Sequence, residues 1–496
     1  MDILSNIDWN KLSEILSYDP KSPMIFCSGL FLFLFLGVSL IYLLLQRKDT
    51  ARIAFVTLFS YYFYYKSSGV YFVLLAVVSC CDYFFAGQIY HHESIKRKRV
   101  FLLGSLLVNL GLLCYFKYTN FFYQMLCPIW QGHFQPLDIF LPVGISFFTF
   151  QSMSYTIDVY RGTLKPVNRL LDYLFYVSFF PQLVAGPIVR AKDFIPQIRR
   201  PLYVSREMFG QGIFLIIAGL VKKAIISDYI SVNYVERIFD NPSLYSGVEN
   251  LMGVYGYTLQ IYCDFSGYSD MAIGLALLLG FHFNQNFNSP YKADSVTDFW
   301  HRWHISLSTW LRDYLYISMG GNRKGKLRTY FNLIMTMLLG GLWHGASWNF
   351  IAWGGMHGLA LAIHKLWRQI RGKKKGDRNH GLVRVICTII TFHFVCLCWI
   401  FFRNSSFSNS WIMISQIFCD FRPQLFMPLI SSYWTVFAVM AVGYLMQYMP
   451  DRWMTYGERC MIKTPLVLQA VVVVIAIFCV IQVKSSDVVP FIYFQF

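Results

Sequence analysis

Apolar runs of about 20 residues, the length that one helix needs to cross the hydrocarbon core of a bilayer, recur along the whole chain. The cleanest run is 24–45 and the last is 464–483. Others lie near 52–65, 69–90, 100–116, 170–188, 207–228, 250–276, 329–343, 348–366, 384–402 and 432–449. We count about eleven to thirteen, and the Gly/Pro-broken run 137–160 is typical of a re-entrant segment. The chain is therefore predicted to be an all-α polytopic membrane protein.

Composition and the first residues support this prediction. Hydrophobic residues make up 56% of the 496 residues and charged residues only 14%, which is too apolar for an ordinary soluble protein. Residues 1–23 are polar without a basic start, and the first apolar run is too long for a signal peptide, so no cleavable signal is expected. We predict an extracytoplasmic segment, 1–23, followed by one multi-pass membrane domain, 24–496.

The net charge of +17 resides in short loops between the apolar runs. These loops are 46–52, 95–99, 189–201, 322–328 and 367–378. The positive-inside rule places all of them in the cytoplasm, which puts the turn after residue 343 on the opposite side. Topology and contact with anionic membrane lipids account for most of this charge, so no nucleic-acid partner is predicted. A smaller share of the basic residues remains available to receive an anionic cytosolic substrate.

The stretch GGLWHGASWNFIAWGGMHGL, 340–359, places two histidines among tryptophan and glycine. A buried imidazole is costly unless it is hydrogen-bonded or lines a wet cavity, and histidines within membrane segments often mark a function. Burial disfavours the charged ring, so His344 is expected to be neutral and able to act as a general base. From these residues alone, a hydrogen-bonded core histidine is an equally good interpretation of His344. For His357, packing is the favoured interpretation.

Residues 298–326 predict one amphipathic helix at the membrane boundary, capped by Asp298 or Thr297 and ended by the glycines after Met319. A spacing of 100° per residue puts His301, His304, Ser308 and Arg312 on one stripe. A neighbouring apolar face carries Trp303, Leu307, Trp310, Leu311 and Tyr314. His301 is best interpreted as an interfacial anchor, whereas for His304 an anchor and a functional role are equally supported.

Other site classes fit the spacing poorly. The twelve cysteines are scattered without a CxxC pair, and no cysteine or suitably spaced carboxylate accompanies His301 and His304, so no disulfide framework and no metal site are predicted. The chain has no P-loop, no Gly-x-Ser-x-Gly elbow and no dinucleotide fingerprint. Acyl transfer by a base-activated hydroxyl and proton-coupled transport remain.

Residues 262–359, with LPVGISFFTFQSMSYTIDVYRG (141–162) and FFPQLVAGPIVR (179–190), resemble the membrane-bound O-acyltransferase family, and in particular its bacterial alginate O-acetylation branch. The resemblance covers about 140–367, the implied catalytic core. It implies a ring of about 11 transmembrane helices, with re-entrant and interfacial helices, around a central acyl-transfer tunnel. It also implies that His344 is the catalytic histidine and that His304 is the second motif histidine, which positions a substrate.

The resemblance further implies an O-acyltransferase of the bacterial inner membrane without a bound cofactor. Its acyl group, an acetyl group, would come from a cytosolic thioester, acetyl-CoA or an acyl-carrier protein. The group would pass to a hydroxyl of an extracytoplasmic polysaccharide through a partner acyltransferase. Supporting roles are predicted for His357, Ser308, Arg312, Asp313 and Trp343, water exclusion for Trp343, Trp348 and Trp353, and donor binding for Lys324, Lys326 and Arg328.

Two alternatives remain open at this point. D-Alanyl transfer to teichoic acid from an acyl-carrier protein belongs to the same enzyme class. A proton-coupled transporter belongs to another class, but transporters commonly show paired broken helices in two halves, whereas the histidines here concentrate in one region. A purely structural membrane scaffold gives no reason for the histidine stripe.

Overall fold

The computed structural model describes residues 8–130, 133–372, 377, 379–483 and 491–492, and all regular structure in these residues is helical. The first α-helices are α1 (Trp9–Leu16), α2 (Gly29–Leu44), α3 (Asp49–Ser68), α4 (Phe72–His91), α5 (Ile95–Leu113), α6 (Thr119–Leu126), α7 (Ile145–Tyr160), α8 (Leu170–Ser178), α9 (Phe180–Leu183), α10 (Ala191–Ile198), α11 (Arg206–Leu220), α12 (Asp228–Ile230) and α13 (Glu236–Asp240). The others are α14 (Gly247–Leu278), α15 (Val296–Arg302), α16 (Ile305–Trp310), α17 (Lys326–His344), α18 (Trp348–Ile370), α19 (Gly381–Arg403), α20 (Phe407–Cys419), α21 (Phe426–Ser432), α22 (Trp434–Tyr448), α23 (Asp451–Lys463) and α24 (Leu466–Val483). Short π-helical segments cover Cys114–Tyr118, Val221–Ser227, Ser231–Val235 and Leu311–Tyr316.

Three helical stretches of the described residues are long and apolar enough to cross a membrane: Asp49–His91, Ile95–Ile129 and Gly381–Arg403. The pair Pro423–Ser432 and Trp434–Tyr448, bent by 95°, adds a fourth if it is one broken span. The predicted all-helical architecture is confirmed, whereas the ring of about 11 spans is not. The predicted span 170–188 is wrong, because the chain leaves the helical conformation at Phe179 between α8 and α9.

The helices pack into two compact units. The first comprises residues 1–119, 136–203 and 279–281, and the second comprises 120–135, 204–278 and 282–496. In the first unit, a fully buried carboxylate on α4, Asp82, accepts hydrogen bonds from Ser105 Oγ at 2.5 Å and from Asn109 Nδ2 at 2.8 Å, both on α5. Hydroxyl and amide donors from α5 thus provide the hydrogen bonds of a carboxylate that is buried on the apolar helix α4. The predicted boundary of one membrane domain at residue 24 stays a prediction.

The second unit is built around α14, which at 32 residues is about 48 Å long. Glycines let α11 approach it closely: a Cβ at Gly219 would lie 2.5 Å from the Gly267 carbonyl oxygen. Beyond α11, the Lys223 ammonium reaches Asp264 of α14 at 2.6 Å and Asp228 at 2.7 Å. Helix α14 is thus longer than the thickness of a bilayer core, and its buried carboxylate Asp264 is paired with a lysine inside the protein.

Helices α17 and α18 form the helical hairpin predicted around residue 344. The turn between them is Gly345–Ser347. A Cβ at Gly341 would lie 2.2 Å from the Phe350 carbonyl oxygen, and one at Gly354 would lie 2.3 Å from that of Met337. The two helices are therefore in backbone contact, which fixes the position of the last residue of α17, His344.

The single helix predicted over 298–326 is wrong. Helix α15 ends at Arg302, and His304 has a left-handed backbone with φ +42° that starts α16. The N-cap is Ser295, whose side chain accepts a hydrogen bond from the Asp298 N–H, instead of Asp298 or Thr297. The cause is tertiary, because the loop before α15 pairs with the break: Ile305 N–H donates to the Asn286 carbonyl at 2.9 Å.

Candidate active site

His344 is the last residue of α17 and is 3% exposed. Its imidazole is surrounded by rings, with centroid distances of 4.9 Å to Trp343, 5.0 Å to Trp353 and 5.2 Å to Phe402. These rings come from α17, α18 and α19. Three helices therefore build an aromatic environment that shields one imidazole from solvent.

His357 lies one turn beyond Trp353 on α18, and the two rings are 4.9 Å apart. The Trp300 Nε1–H donates to His357 Nδ1 at 3.3 Å. An indole nitrogen can only donate, so Nδ1 must be an acceptor and the neutral ring carries its proton on Nε2. His357 therefore belongs to the same aromatic core as His344, and its tautomer is fixed by Trp300.

His304 is fully buried at the break between α15 and α16. The Asn286 side-chain oxygen accepts hydrogen bonds from the Ser306 N–H at 3.1 Å and the Ser306 hydroxyl at 2.9 Å, and lies 3.2 Å from His304 Nδ1. The Ser306 amide can only donate, which fixes the amide orientation of Asn286 and makes His304 Nδ1 the protonated nitrogen. Burial lowers the pKa of the His304 imidazole to about 3, so this ring is neutral at physiological pH.

A continuous series of ring contacts joins the two predicted catalytic histidines. Trp353, beside His344, stacks on Trp399 at 6.1 Å, and Trp399 lies 5.0 Å from Trp303, the residue before His304. The structure thus brings His344 and His304 into one aromatic core within the second unit, with indole rings between them.

The predicted supporting residues are placed differently. Trp343 is 3% exposed and contacts His344, whereas Ser308 donates to the Trp303 carbonyl at 3.1 Å. Arg312 is exposed and pairs with its neighbour Asp313 at 2.6 Å. These two charges pair with each other, and Arg312, which the predicted stripe placed beside His304, is exposed whereas His304 is buried.

Of the three tryptophans predicted as aromatic walls, two are buried beside His344. Trp343 and Trp353 are buried, but Trp348 is 57% exposed and contacts Phe121 at 6.0 Å. The prediction for Trp348 is wrong because its ring, on the first residue of α18, is exposed and packs on Phe121. The predicted apolar face of 298–326 is buried throughout, at Trp303, Leu307, Trp310, Leu311 and Tyr314.

The predicted donor-binding residues Lys324, Lys326 and Arg328 are all exposed around the start of α17. The Arg328 guanidinium lies 5.1 Å from the Phe331 ring centroid. These residues occupy the end of α17 opposite to His344. The hairpin thus separates a basic, exposed end from a buried, aromatic end.

Several residues of this core were not predicted. Asn286 lies in a loop whose sequence, NQNFNSP, carries no spacing signal for a site. Trp399 and Phe402 lie on α19, which we interpreted only as an apolar run. No group of three or more His, Cys, Asp or Glu side chains in the described part of the chain is placed to bind a metal ion.

Replacing Asn286 with alanine is expected to lower the free energy of unfolding by about 1–3 kcal/mol, because the buried His304 Nδ1–H and the part-buried Ser306 N–H both lose the Asn286 oxygen as an acceptor. Thermal unfolding of the purified protein in detergent measures this. The matched control is Asn288→Ala, since Asn288 is exposed and its hydrogen bonds to Arg302 use only its backbone. Equal melting temperatures for the two variants would contradict the role of Asn286.

The chain belongs to the membrane-bound O-acyltransferase family. The model of that family matches residues 167–408, a range that includes His304, His344 and His357. This confirms the resemblance found in the sequence, and with the apolar helices it identifies the chain as a membrane protein.

The chain is also similar to several individual proteins. A probable alginate O-acetylase of Azotobacter vinelandii is 44% identical over 315 residues, 63% of this chain and 61% of that protein. A peptidoglycan O-acetyltransferase of Helicobacter pylori is 39% identical over 339 residues, 63% of each chain. A probable alginate O-acetylase of Pseudomonas putida is 39% identical over 386 residues, 77% of each chain. A teichoic acid D-alanyltransferase of Bacillus subtilis is more distant, 30% identical over 293 residues and 73% of its length. The match thus spans less than two thirds of the length of the first two relatives.

Proposed function

We propose that this protein is an O-acyltransferase of the bacterial inner membrane that moves an acetyl group from a cytosolic thioester to a hydroxyl of an extracytoplasmic polysaccharide. The observation that carries the proposal is the position of His344 in a buried aromatic core at the end of α17. The names of the more similar relatives, alginate O-acetylase and peptidoglycan O-acetyltransferase, support a polysaccharide acceptor.

His344 is the general base in this proposal. It accepts the proton of the acceptor hydroxyl while the hydroxyl oxygen attacks the thioester carbonyl carbon. The tetrahedral intermediate then expels the thiolate, which takes the proton back from the imidazolium, so the imidazole is regenerated. The rings of Trp343, Trp353 and Phe402 exclude water, which favours transfer over hydrolysis of the thioester.

His304 is assigned a positioning role. Its ring is held by Asn286 with the proton on Nδ1, and indole rings separate it from His344. It therefore orients a substrate or the aromatic core, without taking the hydroxyl proton. His357 belongs to the same core, and the ion pair of the exposed Arg312 and the partly buried Asp313 is given no role in the chemistry.

The basic end of the α17 hairpin suits an anionic thioester such as acetyl-CoA or a phosphopantetheine-bearing carrier protein. Replacing Lys324, Lys326 and Arg328 together with glutamine is expected to raise the KM for the donor about tenfold, because electrostatic steering is lost, while kcat changes little. The difference should shrink as salt rises, since the Debye length is about 10 Å at 0.1 M and shorter above it. Steady-state kinetics at two ionic strengths measures both effects.

The matched control for this triple variant is Lys96→Gln with Arg97→Gln, two exposed basic residues at the start of α5. This control tests whether any loss of basic surface raises KM. A triple variant with the KM of the control would contradict donor binding at this loop.

Labelled acetyl-CoA supplied to the protein in proteoliposomes tests the proposed activity. An acyltransferase releases free thiol and labels an acceptor polysaccharide in the presence of its partner acyltransferase. A proton-coupled carrier would instead give a flux that depends on the proton gradient, without thioester turnover. That outcome would overturn the proposal.

The identity of the consumed donor distinguishes acetyl transfer from the alternative function, D-alanyl transfer. A D-alanyl-loaded carrier protein would be consumed with teichoic acid as acceptor, whereas acetyl-CoA would not be. The identity values favour acetyl transfer, since the D-alanyltransferase is the more distant relative.

A further inference from the structure

Two ring N–H groups on one face of α18 are buried without a hydrogen-bond acceptor among the described residues. They are the indole Nε1–H of Trp353, 1% exposed, and the Nε2–H of His357, fully buried. The residues are four apart on a helix, so their side chains lie one above the other, and their ring centroids are 4.9 Å apart. The indole of Trp399 is not part of this pair, because it lies beside the Tyr291 hydroxyl, although without an aligned hydrogen bond.

The donor character of both atoms is fixed. An indole nitrogen only donates, and the His357 Nδ1 already accepts from Trp300, so its Nε2 carries the proton. Buried donors without acceptors are costly and rare in folded proteins. Two of them side by side indicate a site for an oxygen atom that accepts hydrogen bonds.

The position of the pair indicates which oxygen this is. The Trp353 ring lies 5.0 Å from the His344 ring, so the Trp353 donor borders the imidazole to which the proposed function assigns proton transfer. The His357 donor lies one helical turn further along α18, in ring contact with Trp353. A thioester carbonyl oxygen accepts hydrogen bonds without donating any, and its small acetyl group suits apolar aromatic surroundings.

We propose that Trp353 Nε1–H and His357 Nε2–H bind the carbonyl oxygen of the acyl thioester. This inference rests on the proposed function. When the hydroxyl oxygen bonds to the carbonyl carbon, the electron pair of the C=O π bond moves to this oxygen. The two N–H groups stabilise the negative charge that results. The electron pair on the oxygen then re-forms the C=O bond as the C–S bond breaks. The thiolate that leaves takes the proton that His344 had accepted.

Trp300 acts through His357 as a positioning residue. Its N–H keeps His357 in the tautomer that has a proton on Nε2. Without this bond, the ring can place its proton on Nδ1 and present a lone pair to the carbonyl oxygen.

The test uses two stable thioethers of coenzyme A as probes. One carries an acetonyl group, which keeps a carbonyl, and the other carries a propyl group, which does not. The wild-type protein is expected to bind the acetonyl probe about tenfold more tightly. In Trp353→Phe the ratio should approach one, and kcat for acyl transfer should fall about a hundredfold. Trp310→Phe, at a buried indole of α16 outside this pair, should keep the wild-type ratio.

Each outcome separates this inference from the proposed function. His344→Ala should keep the preference for the carbonyl probe while losing acyl transfer, because His344 is not one of the two donors. A wild-type protein that binds both probes equally, or a folded Trp353→Phe variant that keeps the wild-type ratio and kcat, overturns the inference and leaves the function intact. Full activity of His344→Ala overturns the function.

Discussion

Replacing His344 with alanine is expected to lower acyl transfer by about 10²–10⁴-fold, the usual contribution of a general base. Glutamine at the same position should give a similar loss, since it has no group that accepts a proton at neutral pH. The cause is local: among the described residues, the imidazole of His344 is the ring held between Trp343, Trp353 and Phe402 at the end of α17. Turnover of labelled acetyl-CoA with its acceptor present measures the loss.

The control for this variant is His301→Ala. His301 is an exposed histidine of α15, so its removal should leave turnover unchanged. The amount of each variant in the membrane and its elution from a sizing column show whether the protein is folded. Normal turnover by a folded His344→Ala protein would refute the assignment of the base.

Replacing Gly354 with alanine is expected to destabilise the α17–α18 hairpin strongly. The added Cβ would lie 2.3 Å from the Met337 carbonyl oxygen and 3.1 Å from its carbonyl carbon, both backbone atoms that cannot rotate away. Forcing the helices apart costs about 1–3 kcal/mol or more, and it moves His344 relative to α18. We expect a lower melting temperature and a loss of acyl transfer.

The neighbouring glycine provides the matched control. At Gly355 the nearest atom to an added Cβ is the Leu338 Cδ2, at 3.5 Å, which is ordinary contact. Because alanine favours a helix over glycine by about 1 kcal/mol, Gly355→Ala should be neutral or stabilising. If the two variants have the same melting temperature, close packing of the hairpin is not what positions His344.

The α17–α18 hairpin and the position of its histidine were predictable, because the signals for them lie in neighbouring residues of the sequence. Apolar runs on both sides of a Gly-rich turn, with basic loops beyond them, predict two antiparallel helices that meet near residue 344. The close approach is also encoded locally, since the backbones touch at glycines, namely Gly341, Gly354 and Gly358.

The break at His304 was not predictable in the same way. The spacing of apolar residues over 298–314 is regular across the break, and those residues are indeed buried. The helix stops because the loop before α15 supplies Asn286, which accepts backbone hydrogen bonds from Ile305 and Ser306. Single-sequence periodicity carries no information about such a partner.

The number of membrane spans also could not be predicted from the hydropathy of the sequence. Long helices such as α14 bury Asp264, Ser266 and Ser269 inside the second unit, where Lys223 pairs with the Asp264 carboxylate. Mean hydropathy treats such residues as unfavourable in a bilayer, although here they are buried inside the protein. The apolar helices α3, α4 and α19, in contrast, were located correctly from their composition.

The left-handed backbone at His304 changes how substitutions there should be interpreted. Alanine in this conformation carries a backbone penalty of about 1–2 kcal/mol. A loss of activity in His304→Ala would therefore have two causes, the missing imidazole and the strained backbone. Asparagine adopts positive φ more readily than most residues, and glycine does so without strain. A comparison of His304→Asn with His304→Gly therefore separates what the ring contributes from what the turn requires.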